Sequence, residues 1–450
     1  MPFKYYGGVH PDEMKQPHLA VSTIPQPSQV VIPLQMHIGA PCQPLVKVGD
    51  MVTMGQKIGD NPAPLCAPIH ATVSGKVVAI EPRRHCVVGD LVPSIVIEND
   101  GLDTPCTDLA PLTEEQLKDP EAIIQRIREA GVVGMGGAMF PTHFKIQGGR
   151  GKVDTLIING AECEPYLNGD HRTMLEHPVE LLKGIELVRI AQGVDTAYYG
   201  IEENKQDAID LLNSLNPEQY GIVIVPEKVK YPQGAEKMQV KANTNREVKP
   251  GGIPSGVGCN VVSTFTAYSV YRACYEGRPL IERVLSVGGS AIEPANVMIR
   301  FGTPIQHVID NLGGFIRPID RIVLGGPMMG FASFDQSCGL IKGISGLLCF
   351  TEDENRDVEH PTCIRCGKCI TVCPMNLEPV FMYMYYSKRD FENMEKYHIT
   401  DCFECGSCSF NCPARMPLTH AFKTAKIMFM TKAAKEKAKA EAEAAAKEAK

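Results

Sequence analysis

From Ser28 to Asp100, apolar runs alternate with Gly-Asp and Pro turns: LVKVGDMVTMGQKIGD, APIHATVSGKVVAIE and VVGDLVPSIVIEND. Such regular punctuation predicts short strands and an all-β unit. After the linker DTPCTDLAPLTEEQLKDP the period changes. Ile123, Ile124 and Ile127 recur at helical spacing in EAIIQRIREAG, with Gly131 as the stop. An α/β alternation follows: strand DTLIING (154–160), helix 174–191, strand TAYYGI, helix 204–215, strand YGIVIVP, then a longer helix from about Val261 to Glu276. Residues 281–335 return to short strands and turns, including RVLSVGG and IDRIVLGGPMMG, as expected of a small β-grasp unit. The stretch Met375 to Asp401 is rich in helix formers, with Phe381, Met382, Met384, Tyr385 and Phe391 as its apolar positions. AFKTAKIMFM adds a short apolar patch for packing, and the Ala/Lys/Glu tail KAAKEKAKAEAEAAAKEAK predicts a solvated helix with i,i+4 charge pairs. The expected divisions are 1–105, 106–280, 281–350, 351–430 and 431–450.

At 450 residues the chain is too long for a single core. No stretch approaches the roughly 18 consecutive apolar residues of a membrane span, and MPFKYYGGVHPDEMK lacks the apolar centre of a signal peptide. The expectation is a chain without a transmembrane segment of its own, kept on the cytoplasmic side. A net charge of −7 argues against the strongly basic face that nucleic-acid binding needs.

Seventeen cysteines in such a compartment read as thiols and metal ligands. Cys363, Cys366, Cys369, Cys373 and Pro374 spell C-x2-C-x2-C-x3-C-P, and Cys402, Cys405, Cys408, Cys412 and Pro413 repeat it. Three thiolates at i, i+3 and i+6 wrap one corner of a cubane, and the fourth serves the neighbouring cluster. One four-iron cluster therefore takes Cys363, Cys366, Cys369 and Cys412, and the second takes Cys402, Cys405, Cys408 and Cys373. Structural zinc, which prefers two separated C-x2-C pairs, fits this spacing less well. The crossed ligands require the segment between the motifs to fold back, which favours a helical two-cluster module. The other nine cysteines, Cys42 and Cys66 among them, lack ligand spacing and read mostly as small core hydrophobes. So many thiols beside oxygen-sensitive clusters suggest an anaerobic source.

Two further segments carry chemistry. GVVGMGGAMFPTHFK places Gly134, Gly136 and Gly137 where a backbone can approach a phosphate or flat ring. A helix precedes these glycines where a Rossmann site requires a strand, so that fingerprint is disfavoured. Likewise GGPMMG lacks the Lys-Ser/Thr ending of a P-loop and reads as a tight hairpin. Downstream, DTLIING runs into AECEPYLNGDHR and sets Asn159, Glu162 and Glu164 at the C-terminal end of a strand, where α/β sheets gather ligands.

These residues carry a family resemblance. G-x-G-G-A-x-F-P-T-x-x-K followed by N-x-x-E-x-E-P is similar to the flavin- and NADH-binding subunit of respiratory complex I. The whole chain resembles the RnfC family of Rnf complexes, which couple NADH:ferredoxin electron transfer to ion movement across a membrane. The likeness includes F-K-Y-Y-G-G-V-H-P, I-G-A-P-C-Q-P-L-V-K-V-G-D, G-I-E-E-N-K, Y-P-Q-G-A-E-K and both cysteine motifs. Residues 28–100 also resemble the barrel-sandwich of biotinyl and lipoyl carriers. Their tip between Ile58 and Gly75 has no Lys, so a docking or structural role is expected there.

The resemblance implies a multidomain architecture: an N-terminal lipoyl-like barrel-sandwich, a central α/β domain of complex I type, a small β-grasp unit and a helical two-cluster domain. It implies FMN along Gly134, Gly136, Gly137 and Lys145, with Asn159 and Glu162 at the isoalloxazine. Phe140 would stack on the dinucleotide, and Glu164 would face the nicotinamide. Tyr231, Gly234, Glu236 and Asn260 would close the pocket, and Glu202, Glu203, Asn204 and Lys205 would line it. The implied substrate is NAD(H), the implied partners are membrane subunits of the Rnf complex, and ferredoxin is reached indirectly through them. The implied place is the cytoplasmic face of the membrane.

The chain departs from complex I in three places. Met139 stands at a usual Gly, Ala235-Glu236 replaces an acidic pair, and IQGGRGK offers no second aromatic for adenine. Two other functions compete with an Rnf role. One is a cobalamin-reductase-like flavoprotein, whose barrel unit comes last instead of first. The other is a non-catalytic iron–sulfur relay, which Met139 would favour by narrowing the loop.

Overall fold

The computed structural model describes residues 3–355 and 358–448, with side chains of the last helix described to residue 438. The alternating segment after Ser28 forms two small antiparallel sheets. In one, Gln29–Pro33 pairs with Leu91–Asn99, then Gly75–Arg84, then Met51–Val52; in the other, Lys57–Asp60 lies between Gln43–Pro44 and Ile69–His70. Val30, Ile32, Ile58, Val77, Ile95 and Ile97 fill the space between them, as strand alternation requires. Only the first part of the expected tip, around Pro62 and Pro64, is presented to solvent. Cys66, Ala67, Pro68, Ile69 and His70 are buried, and the Pro68 carbonyl accepts from Lys342 Nζ at 3.1 Å.

Before Pro27 and Ser28, whose carbonyls still accept from Asn99, the chain leaves the strands of this barrel. Val21–Thr23 adds a parallel edge strand to Ala295–Arg300, and Val9 bridges to Tyr231. The N-terminal segment thus straps the later domains together.

The central sheet is wholly parallel, in the order Ile222–Glu227, Ala197–Glu202, Thr155–Gly160, Cys259–Ser263. Asp119 caps helix Pro120–Glu129 through the Glu121 amide at 3.1 Å, with Pro at the first helical position. The expected helix from Val261 to Glu276 is corrected at its start. Cys259–Ser263 is a strand, and the helix is Thr264–Tyr275. The β-branched Val261-Val262 pair suits the edge of the parallel sheet, and Ser263, extended at φ −76° and ψ 157°, turns the chain into the helix. The run 174–191 is likewise two helices, Gly169–Glu176 and Pro178–Gln192, because Pro178 can begin a helix but cannot continue one. The helix expected over 204–215 is Gln206–Ser214, preceded by one tight turn at Glu203–Lys205.

The β-grasp region builds a six-stranded mixed sheet in which Arg321–Leu324 and Phe331–Ser333 form the expected hairpin around GGPMMG. After it, Pro379–Ser387 and Phe391–Lys396 fold back between the cysteine motifs, and Leu418–Glu448 closes the helical unit. Phe422 and Ala425 enter its core, while Ile427 and Met430 of the same apolar patch remain exposed. Residues 432–438 of the tail are exposed; the side chains expected to be solvated from 439 onward lie outside the described residues. Among the described residues no helix is long and apolar enough to cross a membrane.

Candidate functional site

The Gly-rich loop is a closed turn with an open crest. Val133 bridges to Pro141, the Gly134 amide donates to the Phe140 carbonyl at 2.8 Å, and the Met139 amide returns to the Gly134 carbonyl at 3.2 Å. The Met135 amide donates to Thr266 Oγ1 at 2.9 Å, tying the base to helix Thr264–Tyr275. At the crest Gly136, Gly137 and Ala138 are exposed. Gly137 has φ +105°, and a Cβ built there meets nothing within 4 Å. Backbone geometry, not crowding, demands glycine here, and the space above it can take a flat ring or an anionic oxygen. Met139, expected to narrow the loop, turns at φ +51° and packs its side chain against Gly343. Its side chain therefore points to the β-grasp segment that carries Gly343.

Lys145 lies in helix Thr142–Gly149 with Nζ 2.7 Å from the Val261 carbonyl and in an ion pair with Glu236 at the start of helix Glu236–Thr244. The Asn260 amide is committed elsewhere, to the Lys145 carbonyl at 3.2 Å and Gln192 Oε1 at 2.6 Å, so it positions Lys145 from behind. Phe140 is half-buried, and its ring centroid lies 6.0 Å from that of the exposed Phe144. Phe144 is a second aromatic beside Phe140, just ahead of IQGGRGK. Its spacing of four from Phe140, across Pro141 and into a helix, was the available signal.

At the strand end, Asn159 Nδ2 donates to the Gly234 carbonyl at 2.8 Å, while Asn159 Oδ1 accepts from the Ala161 amide at 3.2 Å. Glu162 turns its carboxylate to the amides of Asp170 and His171, at 2.8 and 3.1 Å, and so caps helix Gly169–Glu176. Buried Lys205 reaches the Ala161 carbonyl at 2.7 Å and Glu202 at 3.4 Å. Lys15, from the N-terminal strap, donates to the carbonyls of Glu162, Glu164 and Leu167 at 2.8, 2.9 and 2.5 Å. Nothing local in the sequence marks Lys15 for this work. Glu203, by contrast, pairs with Lys228 at 2.8 Å on the surface.

Glu164 lies where the flavin-type domain, the 325–330 turn and the cysteine domain meet. It accepts from the Met328 amide at 3.0 Å and faces Tyr231 Oη at 3.4 Å. Burial pushes its pKa up to about 7, against the opposing pull of the Met328 and Met329 amides. Tyr231 in turn donates to the carbonyl of Cys405 at 2.7 Å. Asn159 and Gly234 thus meet directly, as do Lys145 and Glu236, and Glu164 and Tyr231. Glu162 and Asn260 serve the neighbouring helices and reach the same region through backbone atoms.

The cysteine domain gathers one of the expected crossed sets in a single cavity and places three members of the other near one another. Cys373, Cys402, Cys405 and Cys408 line one cavity with Pro374 and Leu377. Cys369 faces Cys412 and Cys363; burial first, and then the fields of those two thiols, raise its pKa. Cys366, like Cys363, is exposed. Thiols on both sides of the fold-back therefore fit two thiophilic clusters. The two sets differ in burial: Cys373, Cys405 and Cys408 are buried, whereas Cys363 and Cys366 are exposed.

Family comparison agrees along the chain. Residues 3–102 match the RnfC barrel sandwich hybrid domain, 127–272 the Nuo51 FMN-binding domain, and 357–413 a 4Fe-4S dicluster domain. The RnfC-type component of the Na(+)-translocating ferredoxin:NAD(+) oxidoreductase complex of Acetobacterium woodii is 40% identical over 429 residues, covering 94% of this chain and 96% of that one. Its counterpart in the proton-translocating complex of Clostridium ljungdahlii is 40% identical over 402 residues, covering 88% of each chain. The counterpart in the ion-translocating oxidoreductase complex of Rhodobacter capsulatus is 39% identical over 438 residues, covering 94% and 83%. In fold, the chain is similar to a chain of an NAD+-reducing NiFe-hydrogenase in the H2-reduced state, with TM-score 0.50, 19% identity and coverage of 67% and 61%. With an FMN-binding domain, a two-cluster domain and relatives of this identity over nearly its full length, the chain belongs to the RnfC family of ion-translocating ferredoxin:NAD+ oxidoreductase complexes.

Proposed function

We propose that this chain is the NAD(H)-reacting member of a membrane-bound complex, exchanging hydride with NAD(H) at the Gly-rich loop and single electrons with partner proteins through its exposed cysteine set. The observation that carries this reading is the bond from Tyr231 to the Cys405 carbonyl, which joins the wall of the flavin-type site to a cluster-binding loop. FMN supplies the conversion between a two-electron hydride and one-electron carriers.

The protein's part is binding and orientation. The exposed crest at Gly136 and Gly137 receives the ring system, Lys145 supplies a cation beside it, and Asn159 with Gly234 forms the edge at the strand end. Phe140 and Phe144 offer aromatic faces at the loop's flank for the dinucleotide. Glu164 and Tyr231 lie between this site and Cys405, and need not act as acid, base or nucleophile. The set Cys373, Cys402, Cys405, Cys408 is the inner station, and Cys363, Cys366, Cys369, Cys412 the outer one. Its exposed thiols face the place where a partner's redox centre would dock. With no spanning helix among the described residues, attachment is peripheral, on the cytoplasmic face, and ion movement belongs to the membrane partners. Relatives named for sodium and for protons are each 40% identical to this chain, in keeping with an ion choice made elsewhere. The relay alternative loses its support, because Met139 packs away from the crest.

Anaerobic titration of the cluster-loaded protein with NADH tests the proposal. Bleaching of a flavin band followed by cluster reduction is expected. A flavin-loaded protein whose flavin band NADH leaves unchanged would reduce the chain to an electron relay.

A further inference from the structure

The barrel holds a second set of soft ligands that neither cysteine motif includes. His37 and Cys42 follow strand Gln29–Pro33, and Cys66 lies in the turn between Lys57–Asp60 and Ile69–His70. All three side chains are buried, at 4%, 5% and 0% exposure. Their ligand atoms form an even triangle: Cys42 Sγ to His37 Nε2 is 3.6 Å, Cys66 Sγ to His37 Nε2 is 3.6 Å, and Cys42 Sγ to Cys66 Sγ is 3.6 Å. Zinc bonds of about 2.3 Å to sulfur and about 2.0 Å to nitrogen at tetrahedral angles place neighbouring ligand atoms about 3.6 to 3.8 Å apart. A disulfide would instead draw the sulfurs to about 2.05 Å. These separations, which thiol hydrogen bonds also span, suit a metal triangle and exclude a covalent pair.

The imidazole is oriented to ligate. His37 Nδ1 lies 3.2 Å from the Ile38 carbonyl, the outer bond that fixes a metal-binding histidine, which leaves Nε2 as the ligand atom; Nε2 accepts from the Ala67 amide at 3.3 Å, a long bond that an incoming metal would displace. We propose that His37, Cys42 and Cys66 bind one thiophilic d10 cation, zinc(II), in a site separate from both iron–sulfur clusters. Binding would release one proton from each thiol and form two metal–thiolate bonds and one metal–imidazole bond. The result is electrically neutral: a dication with two thiolates avoids the cost of a buried net charge. A fourth position is left to water.

The location gives the ion a structural task. The amide of Ile38, next to a ligand, donates to the carbonyl of Met139 in the Gly-rich loop at 3.2 Å. Close to Cys66, the Pro68 carbonyl shares the ammonium of Lys342 with the Gly131 carbonyl, at 3.1 and 2.7 Å. A metal joining the 37–42 and 65–67 segments would hold both supports of that loop in register.

The test uses the full chain, purified anaerobically with its clusters and freed of loose metal by a chelator. Elemental analysis should find about one zinc per chain beside the cluster iron. H37Q, C42S and C66S should each lose the zinc while keeping the iron, and C106S should keep both. Zinc-edge X-ray absorption of the unmutated protein should show two sulfurs and two nitrogen or oxygen neighbours, the imidazole and a water, which guards against a variant that simply misfolds. Copper in place of zinc, lost from the same three variants, would uphold the ligand set and overturn the choice of ion. The proposal fails if the protein neither retains nor takes up zinc or copper, if C42S leaves the metal content unchanged, or if mass mapping finds Cys42 joined to Cys66.

Discussion

A single carboxyl shows how residue-level electrostatics and domain assembly meet. Glu164 titrates near 7 because its surroundings exclude water, whereas in the unfolded chain it titrates near 4.5. A raised folded-state value means that its contribution to stability is complete below about 4.5 and is lost as pH rises through about 7. The shift corresponds to about 3 kcal/mol between those limits. Glu227 and Asp170, also lifted to about 7, mainly by burial, act in the same direction. Glu164→Gln keeps an oxygen for the Met328 amide and removes the charge. Its unfolding midpoint in denaturant should exceed that of the wild type at pH 8 and converge with it near pH 5. Equal offsets at both pH values would show that this junction does not raise the Glu164 pKa. The acidic loop itself was legible from its place after DTLIING. Its actual partners, Lys15 and Met328, lie 149 and 164 residues away along the chain, beyond any local pattern.

At the scale of elements, the turn at 325–330 is the clearest case of a feature whose form was readable and whose use was not. GGPMMG announced a hairpin, and Leu324 pairs with Phe331 across it. Its role as the seat of the cluster domain depends on Gly406, at φ +81°, where an added Cβ would sit 2.7 Å from the Met328 carbonyl. Gly406→Ala should therefore cost at least about 1 to 2 kcal/mol in strain and lift the cluster loop off the hairpin. The expected result is unchanged iron content with slower reduction of the clusters by NADH in stopped-flow traces. A wild-type rate would mean that this contact does not set the spacing between the flavin and cluster sites. The strand Cys259–Ser263 teaches a related lesson. Its CNVVS run is too short to show a period, and the long helical signal behind it absorbed it until the parallel partner Thr155–Gly160 was in view.

For the whole molecule, burial would give the proposed electron path a direction. The inner cysteine set is packed against Tyr231 and the hairpin, and the outer set opens to solvent. Replacing a ligand at each station separates them. Cys366→Ser should leave the inner cluster reducible by NADH while abolishing electron delivery to an external acceptor. Cys405→Ser should leave flavin reduction intact and strand the outer cluster, as electron paramagnetic resonance of NADH-treated protein would report. The reverse pattern would invert the order of stations.

Chemical identity came from the chain as a string, because a cubane's corner needs thiolates at i, i+3 and i+6 and a close backbone approach needs adjacent glycines; both are short-range demands that local spacing records. The alternation of the barrel and the helical fold-back between Cys373 and Cys402 were readable for the same reason. Only the assembled fold decided which strand end met which loop, which cluster lies inside, and how Lys15 crosses to the carbonyls beyond Ala161. It alone raised Cys42 and Cys66 from ordinary core thiols to a triangle with His37. Such sites are built from residues far apart in the chain, and their distances are set by packing, which no local pattern of residue types encodes.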